Sequence, residues 1–348
     1  MRQSVEKAQS SQALDRQRQH HRAALAAGTF GVVLVALVAL LFFAANTGTL
    51  KVGPEQLFRG LFLEYDQDVS TVFDLRFPRI FISVLAGAAV AVSGCLFQAV
   101  LKNPLADPGI IGISSGASFA AVLVVGLAPT LYFFTPLLAF LGGGIAFAMV
   151  YGLSWKGGLS PLRIILVGVA VNALFTGLAS AFGSMGGSSS GVASIVEGNI
   201  TMKTWSDVGT LAPYVGAGLL FALFCIRACN MLQLEDRTAR GLGFNVSRAR
   251  ILVSMVACLL ASIATAVAGP ISFLGLIVPH IGRILVGSDH KALVPFCILF
   301  GALLFLLADT IGRTIIAPSE ISASIIMSIV GGPFFIFLLR GSKKYANQ

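Results

Sequence analysis

Long apolar runs separated by short polar connectors make up most of this chain. They fall at about 23–46, 79–101, 109–127, 130–153, 161–184, 207–229, 249–268, 271–286, 293–312 and 321–340. At ~1.5 Å of rise per residue, a run near twenty residues crosses the hydrocarbon core of a bilayer. The third and eighth runs are short, and Gly and Pro punctuate both. The pattern predicts an all-α polytopic membrane protein with about ten transmembrane helices per subunit. The first run is too long for the apolar region of a cleavable signal. Residues 1–22 are therefore expected as a cytoplasmic tail, 23–340 as the membrane domain and 341–348 as a second cytoplasmic tail.

Composition agrees. The chain of 348 residues is 56% hydrophobic and 11% charged, where a soluble protein carries about 25% charged residues. Its 38 glycines suit close helix contact, because small residues let backbones approach in lipid. We expect Gly87, Gly94 and Gly177 to serve that packing beside a central path. The net charge of +9 reads as positive-inside bias and not as a nucleic-acid surface. Cys225 and Cys229 have the spacing of a metal half-site on a helix, but all five cysteines lie in or beside apolar runs. No metal site is expected.

The basic residues orient the helices. With the N-terminus in the cytoplasm, all 24 Lys and Arg fall on the cytoplasmic side except Lys51, Arg59, Arg76, Arg79, Lys203 and Arg313. Both termini then lie in the cytoplasm of a bacterial plasma membrane. Arg76, Arg79 and Arg313 run against this trend at outer helix ends. Three guanidiniums on one rim repel each other unless an anion joins them, and Arg holds carboxylate bidentately. They are candidate docking residues for an acidic partner; snorkelling to lipid phosphate is the rival.

Two connectors stand out. The outer one, 183–200, is rich in Gly and Ser. The inner one, 232–248, reads as a short helix, a break at Gly241-Leu242-Gly243 and a second short helix. A helix pair on the cytoplasmic surface suits docking. A faint echo links 79–94 to 250–269: each begins with Arg, ends with Gly and leads into a Pro/Gly-broken stretch. The two run in opposite directions, as in the inverted repeats of transporters.

Absences narrow the function. There is no GxxxxGK[ST], HExxH, GxSxG or CxxC, so ATP binding by a Walker A loop is not expected of this chain. Ion-coupled carriers bury a carboxylate at mid-membrane. Here the apolar runs are nearly free of acid; Asp309 is the exception inside one, and Arg313 lies one helical turn beyond it. A carrier without its own energy source needs an external one, and a partner ATPase fits the inner connector.

Four stretches carry a family resemblance: LRFPRIFISVLAGAAVAVSGCLFQAVLKNPLADPGIIGISSGAS (75–118), the loop around EDRTARGLGF, GPISFLGLIVPHIGRILVGSDHKALVP (269–295), and GALLFLLADTIGR with GGPFFIFLLR. The chain resembles the FecCD-type ABC importer permeases for ferric siderophores, haem and vitamin B12. The resemblance implies a type II importer permease that is a transport subunit and not an enzyme. It implies a second permease subunit, identical or different, two cytoplasmic ATPase subunits that bind the ATP, an extracytoplasmic substrate-binding protein, and no cofactor in this chain. Ferric siderophore is the first expected cargo, then haem, then cobalamin. Glu235, Asp236, Ala239, Arg240, Gly241, Leu242 and Gly243 are implied as the ATPase-coupling element. Ser160, Pro161 and Leu162 are implied near a cytoplasmic gate, and Arg76, Arg79 and Arg313 as seats for acidic residues of the binding protein. The chain departs from the family at IVEGN in the outer connector and at Ile-Ser-Ala after Glu320. Two other classes remain. An ion-coupled carrier of the inverted-repeat type requires a buried coupling carboxylate, and a membrane enzyme or receptor requires an interfacial catalytic cluster.

Overall fold

The computed structural model describes residues 25–47, 66–154, 161–185, 190–316 and 319–342, with isolated positions between 52 and 63. Among these the regular structure is helical. The helices are α1 (Leu25–Asn46), α2 (Gln67–Leu75), α3 (Phe77–Leu101), α4 (Ile113–Leu127), α5 (Thr135–Ser154), α6 (Pro161–Met185), α7 (Ser190–Glu197), α8 (Trp205–Leu232), α9 (Asp236–Gly241), α10 (Val246–Ala268), α11 (Leu274–Leu285), α12 (His290–Thr314) and α13 (Ala323–Ser342). A 3-10 turn, Pro129–Phe134, joins α4 to α5. Seven helices are long and apolar enough to cross a membrane, and Ile113–Leu127, Leu274–Leu285 and Ala323–Leu338 are shorter apolar helices. Each of the ten apolar runs thus holds one helix, and the protein is an integral membrane protein.

α3 is the axis of the molecule. It packs against α8, α10, α11 and α12. Its small residues leave almost every position from Ala86 to Val100 buried, and backbones close in where side chains are short. A Cβ on Gly94 would run into the Gly275 carbonyl of α11, and one on Gly87 into the Gly301 carbonyl of α12. α1 lies outside this core and touches it with one edge, placing Leu37, Ala44 and Ala45 against Ile80, Ala88, Ala302 and Leu306.

The echoing segments become α3 and α10, which pack on each other. The broken stretches that follow them also meet. Asp107 Oδ1 accepts from the Gly109 and Ile110 amides at 2.8 and 3.2 Å, closing the turn before α4. Gln98 Nε2 donates to the Ala106 and Gly275 carbonyls, both at 3.2 Å, tying that turn to the start of α11. Phe273 caps α11 with φ +65°, a left-handed conformation uncommon for an aromatic residue. Its side chain packs against Gly331 of α13 and lies tilted against Phe335, with ring centroids 6.2 Å apart.

The inner connector differs from expectation in one respect. α9 is the short helix, and Gly243 at φ +77° is the turn. The second short helix is instead the first turn of α10, which Asn245 caps by accepting the Arg248 amide at 3.0 Å. The inner connector therefore carries one short helix, not two.

Candidate functional site: two opposite charged faces

The face at the start of α3 holds the three rim arginines, and the structure draws them into one cluster. Pro78 lies in the first turn of α3, and Arg79 beside it points at α12. Arg79 Nε reaches both Asp309 oxygens at 2.9 and 3.1 Å, and Nη2 reaches Asp309 Oδ1 at 2.8 Å. Arg79 Nη1 contacts Glu320 Oε2 at 2.7 Å, and the Thr201 hydroxyl donates to the same oxygen at 2.8 Å. Arg313 Nε lies 3.4 Å from Asp309 Oδ2, and its Nη2 donates to the Ala44 carbonyl at 3.3 Å. Arg76 Nη1 donates to the Ala45 carbonyl at 2.7 Å. A cavity of about 270 Å³ lies between Arg76, Arg79, Arg313, Thr201 and Glu320.

This corrects the picture of three exposed guanidiniums awaiting a visitor. Arg79 is only 4% exposed and Asp309 is fully buried. The chain supplies two of its own carboxylates, Asp309 and Glu320. The plain i,i+4 reading of Asp309 with Arg313 names the longer of its two ion pairs. Its main partner, Arg79, is 230 positions away in sequence. Glu320 sits just before α13, where its carboxylate neutralises charge at the cavity rim.

Trp205 anchors the same face. Its indole donates to the Phe73 carbonyl at 3.1 Å and its ring lies 4.7 Å from that of Phe73. Beside it a second polar group was invisible to periodicity. Asp207 forms a capping box with Thr204 at the start of α8, accepts the Tyr132 hydroxyl, and faces Lys203 at 3.6 Å. Tyr132, Lys203 and Asp207 border a cavity of about 470 Å³ with Glu197 and Asn199 of the outer connector.

The opposite face carries α9. Its N-terminal Asp236 is held by Lys102 Nζ at 2.7 Å and Arg250 Nη2 at 2.9 Å. Lys102, at φ +49° just past α3, also donates to the Leu234 carbonyl. The lysine and arginine hold the Asp236 carboxyl below its ordinary value, the hydrogen bond from Lys102 contributing most. Asp236 therefore fastens α9 to the ends of α3 and α10. Of the expected coupling residues, Ala239 is buried at 1% exposure, whereas Leu242 is 67% exposed. Glu235, Arg240, Gly241 and Gly243 are exposed as well. Ala239 faces the protein because it packs beneath the helix, so the free surface is Arg240 to Gly243.

Gly87 and Gly94 occupy close helix contacts, as described above. Gly177 does not: nothing lies within 4 Å of where its Cβ would be. Close packing at Gly177 is not met within this chain, because α6 presents that position on an open side. Ser160 lies outside the described residues, and Pro161 and Leu162 open α6 with side chains that are likewise outside them. Among the described residues no group of His, Cys, Asp and Glu is arranged to hold a metal.

The FecCD transport family matches residues 35–341. "Probable heme-iron transport system permease protein IsdF" of Staphylococcus aureus strain bovine RF122 / ET3-1 is 42% identical over 315 residues, covering 90% of this chain and 96% of that one. The same protein from strain MSSA476 is 41% identical over the same length and shares. Among solved structures, "An inward-facing conformation of a putative metal-chelate type ABC transporter" superposes with a TM-score of 0.74 at 28% identity, covering 90% of this chain and 98% of that one. "PsaBC from Streptococcus pneumoniae in complex with Fab" superposes with a TM-score of 0.58 at 18% identity over 81% and 94%, a likeness of fold alone.

Proposed function

Since the chain belongs to the FecCD transport family, a transport protein and not an enzyme, we propose that it is the membrane-spanning subunit of an ATP-driven haem-iron importer. One observation carries the cargo: 42% identity, across 90% of the chain, to a permease named for heme-iron transport. It moves haem ahead of ferric siderophore and cobalamin in the order expected from motifs.

Two permease subunits enclose the path, and the chain itself binds neither ATP nor cofactor. ATP is hydrolysed by two partner subunits seated on the α9 face, which the excess of Lys and Arg assigns to the cytoplasm. Arg240 to Gly243 form the contact, with Leu242 as the apolar knob. An external binding protein docks on the arginine face. Arg76 and Arg313 line its cavity, while Arg79 braces that cavity from beneath. Asp309 is committed to Arg79 and Arg313, and buried Asp107 closes the turn before α4 through the Gly109 and Ile110 amides, which disfavours ion coupling through either acid.

The test is uptake into vesicles holding the permease with its ATPase and binding protein. Haem, a ferric siderophore and cobalamin are offered in turn. ATP-dependent uptake of haem above the other two is expected. Uptake of another cargo in its place would overturn the haem assignment, and uptake driven by an ion gradient without ATP would overturn the importer reading.

A further inference from the structure

On the α9 side, α5 and α10 part to leave a groove of about 490 Å³ whose mouth adjoins the Asp236 cluster and whose walls lie outside both charged sites. Its walls are apolar: Phe140, Gly144 and Phe147 from α5 face Ile251, Met255 and Cys258 from α10. Ile251 and Met255 are exposed, at 61% and 46%. Its mouth is polar and basic, formed by Arg240, Ser247 and Arg250. Arg250 Nη2 is engaged by Asp236, but its Nε is buried with no hydrogen-bond partner among the described residues. Asp236 is shared with Lys102, so one carboxylate serves two cations, and with Arg240 beside them the mouth keeps a net positive charge.

The dimensions are those of one lipid leaflet. Ser247 to Cys258 along α10, and Tyr151 to Phe140 along α5, each descend about 16 Å from the mouth. Half of the hydrocarbon core is about 15 Å. A groove that is apolar to that depth, with Ile251 and Met255 exposed along it and arginines at its mouth, matches an acyl chain below a phosphate. Basic pockets between helices on the cytoplasmic side recognise anionic headgroups in this way.

We propose that this groove binds one anionic phospholipid of the inner leaflet, its phosphate on Arg240, Arg250 and Ser247 and one acyl chain between α5 and α10. The site rests on the membrane reading of these helices and not on the cargo, and it shares Arg240 with the edge of the ATPase contact proposed above. The lipid would wedge α10 beside α9, at the base of the docking helix.

The test is native mass spectrometry of the full-length protein purified in detergent, titrated with phosphatidylglycerol, phosphatidylcholine or glycerol 3-phosphate. Wild type is expected to retain phosphatidylglycerol in preference to phosphatidylcholine and to bind no glycerol 3-phosphate. Ser247→Glu, an exposed position at the mouth, should weaken phosphatidylglycerol about fivefold and leave phosphatidylcholine unchanged. Gly144→Leu, which projects into open space, should fill the groove and weaken both lipids. Met255→Trp narrows the groove from the α10 side and gives the same readout if Gly144→Leu fails to assemble. Equal retention of the two lipids by wild type, or phosphatidylglycerol binding unchanged in Ser247→Glu or in the groove-filling variant, would overturn the proposal. Binding of glycerol 3-phosphate at matching occupancy would reassign the mouth to free anions and overturn it too.

Discussion

The two charged clusters use the same chemistry at opposite ends of the molecule, yet their settings differ. On the arginine face, Arg79 and Asp309 have side chains 5% and 0% exposed. On the α9 face, Lys102 and Asp236 are 32% and 33% exposed at a similar distance of 2.7 Å. Distance is therefore a poor guide to importance. Removing one partner of a buried pair strands a charge in a low-dielectric site, at a cost of about 3–5 kcal/mol. Removing one partner of an exposed pair returns the other to water, at a cost of ~0–1 kcal/mol. The first cluster is a brace that holds α3, α12 and the start of α13 together. The second positions a surface helix whose free residues remain available for contact.

The sharpest way to break this comparison is Arg79→Gln. We expect a loss of about 3–5 kcal/mol in an unfolding titration, with loss of assembled protein and hence of uptake. A binding-protein defect in an otherwise stable variant would instead make Arg79 a docking residue. The uncharged version of the contrast comes next. Gly94→Ala pushes a methyl into the Gly275 carbonyl and should cost about 1–3 kcal/mol, whereas Gly177→Ala, with open space around it, should stay within ~0.5 kcal/mol. Equal losses at the two positions would contradict the packing described for α3 and α11.

On the α9 face the expected effects move from stability to function. Leu242→Asp should leave unfolding unchanged and lower ATPase copurification and uptake about tenfold. Ala239→Arg should instead destabilise the loop itself, because Ala239 is buried. On this face the smallest effect is that of Asp236→Asn, below about 1 kcal/mol at neutral pH. Its sign follows from the depressed carboxyl. The stabilisation is present above the ordinary value of 3.8 and is lost as pH falls through the lower folded value. The difference between wild type and Asp236→Asn should therefore persist from pH 7 to about pH 5 and vanish in stronger acid. A difference that grows on acidification would contradict the pairing.

Sequence reading reached the elements more easily than their partners. Apolar length alone located every spanning helix, because a bilayer imposes length and hydropathy on each helix independently. The glycine breaks correctly marked the turn at Gly243 and the two broken stretches that meet beside Gln98. Long-range pairing left no such mark. Nothing in the spacing links Arg79 to Asp309 or Lys102 to Asp236, since periodicity reports only neighbours along one helix. The nearer candidate, Arg313, drew attention from the true partner of Asp309. Ala239 and Leu242 likewise look alike as small or apolar members of one motif, and only burial separates the packed residue from the presented one. The cap of Asp207 on Thr204 was legible in principle as a Thr-x-x-Asp spacing before an apolar run, and its contact with Tyr132 was not.

The measurement that bears most directly on the buried brace is a double-mutant cycle on Arg79 and Asp309 in the full-length protein, read by reversible unfolding in detergent. The account predicts large single losses for Arg79→Gln and Asp309→Asn and a double variant less destabilised than their sum, with a coupling of about 2–3 kcal/mol. Additive losses, or single variants within about 0.5 kcal/mol of wild type, would contradict it and return Arg79 to the surface as a free docking charge.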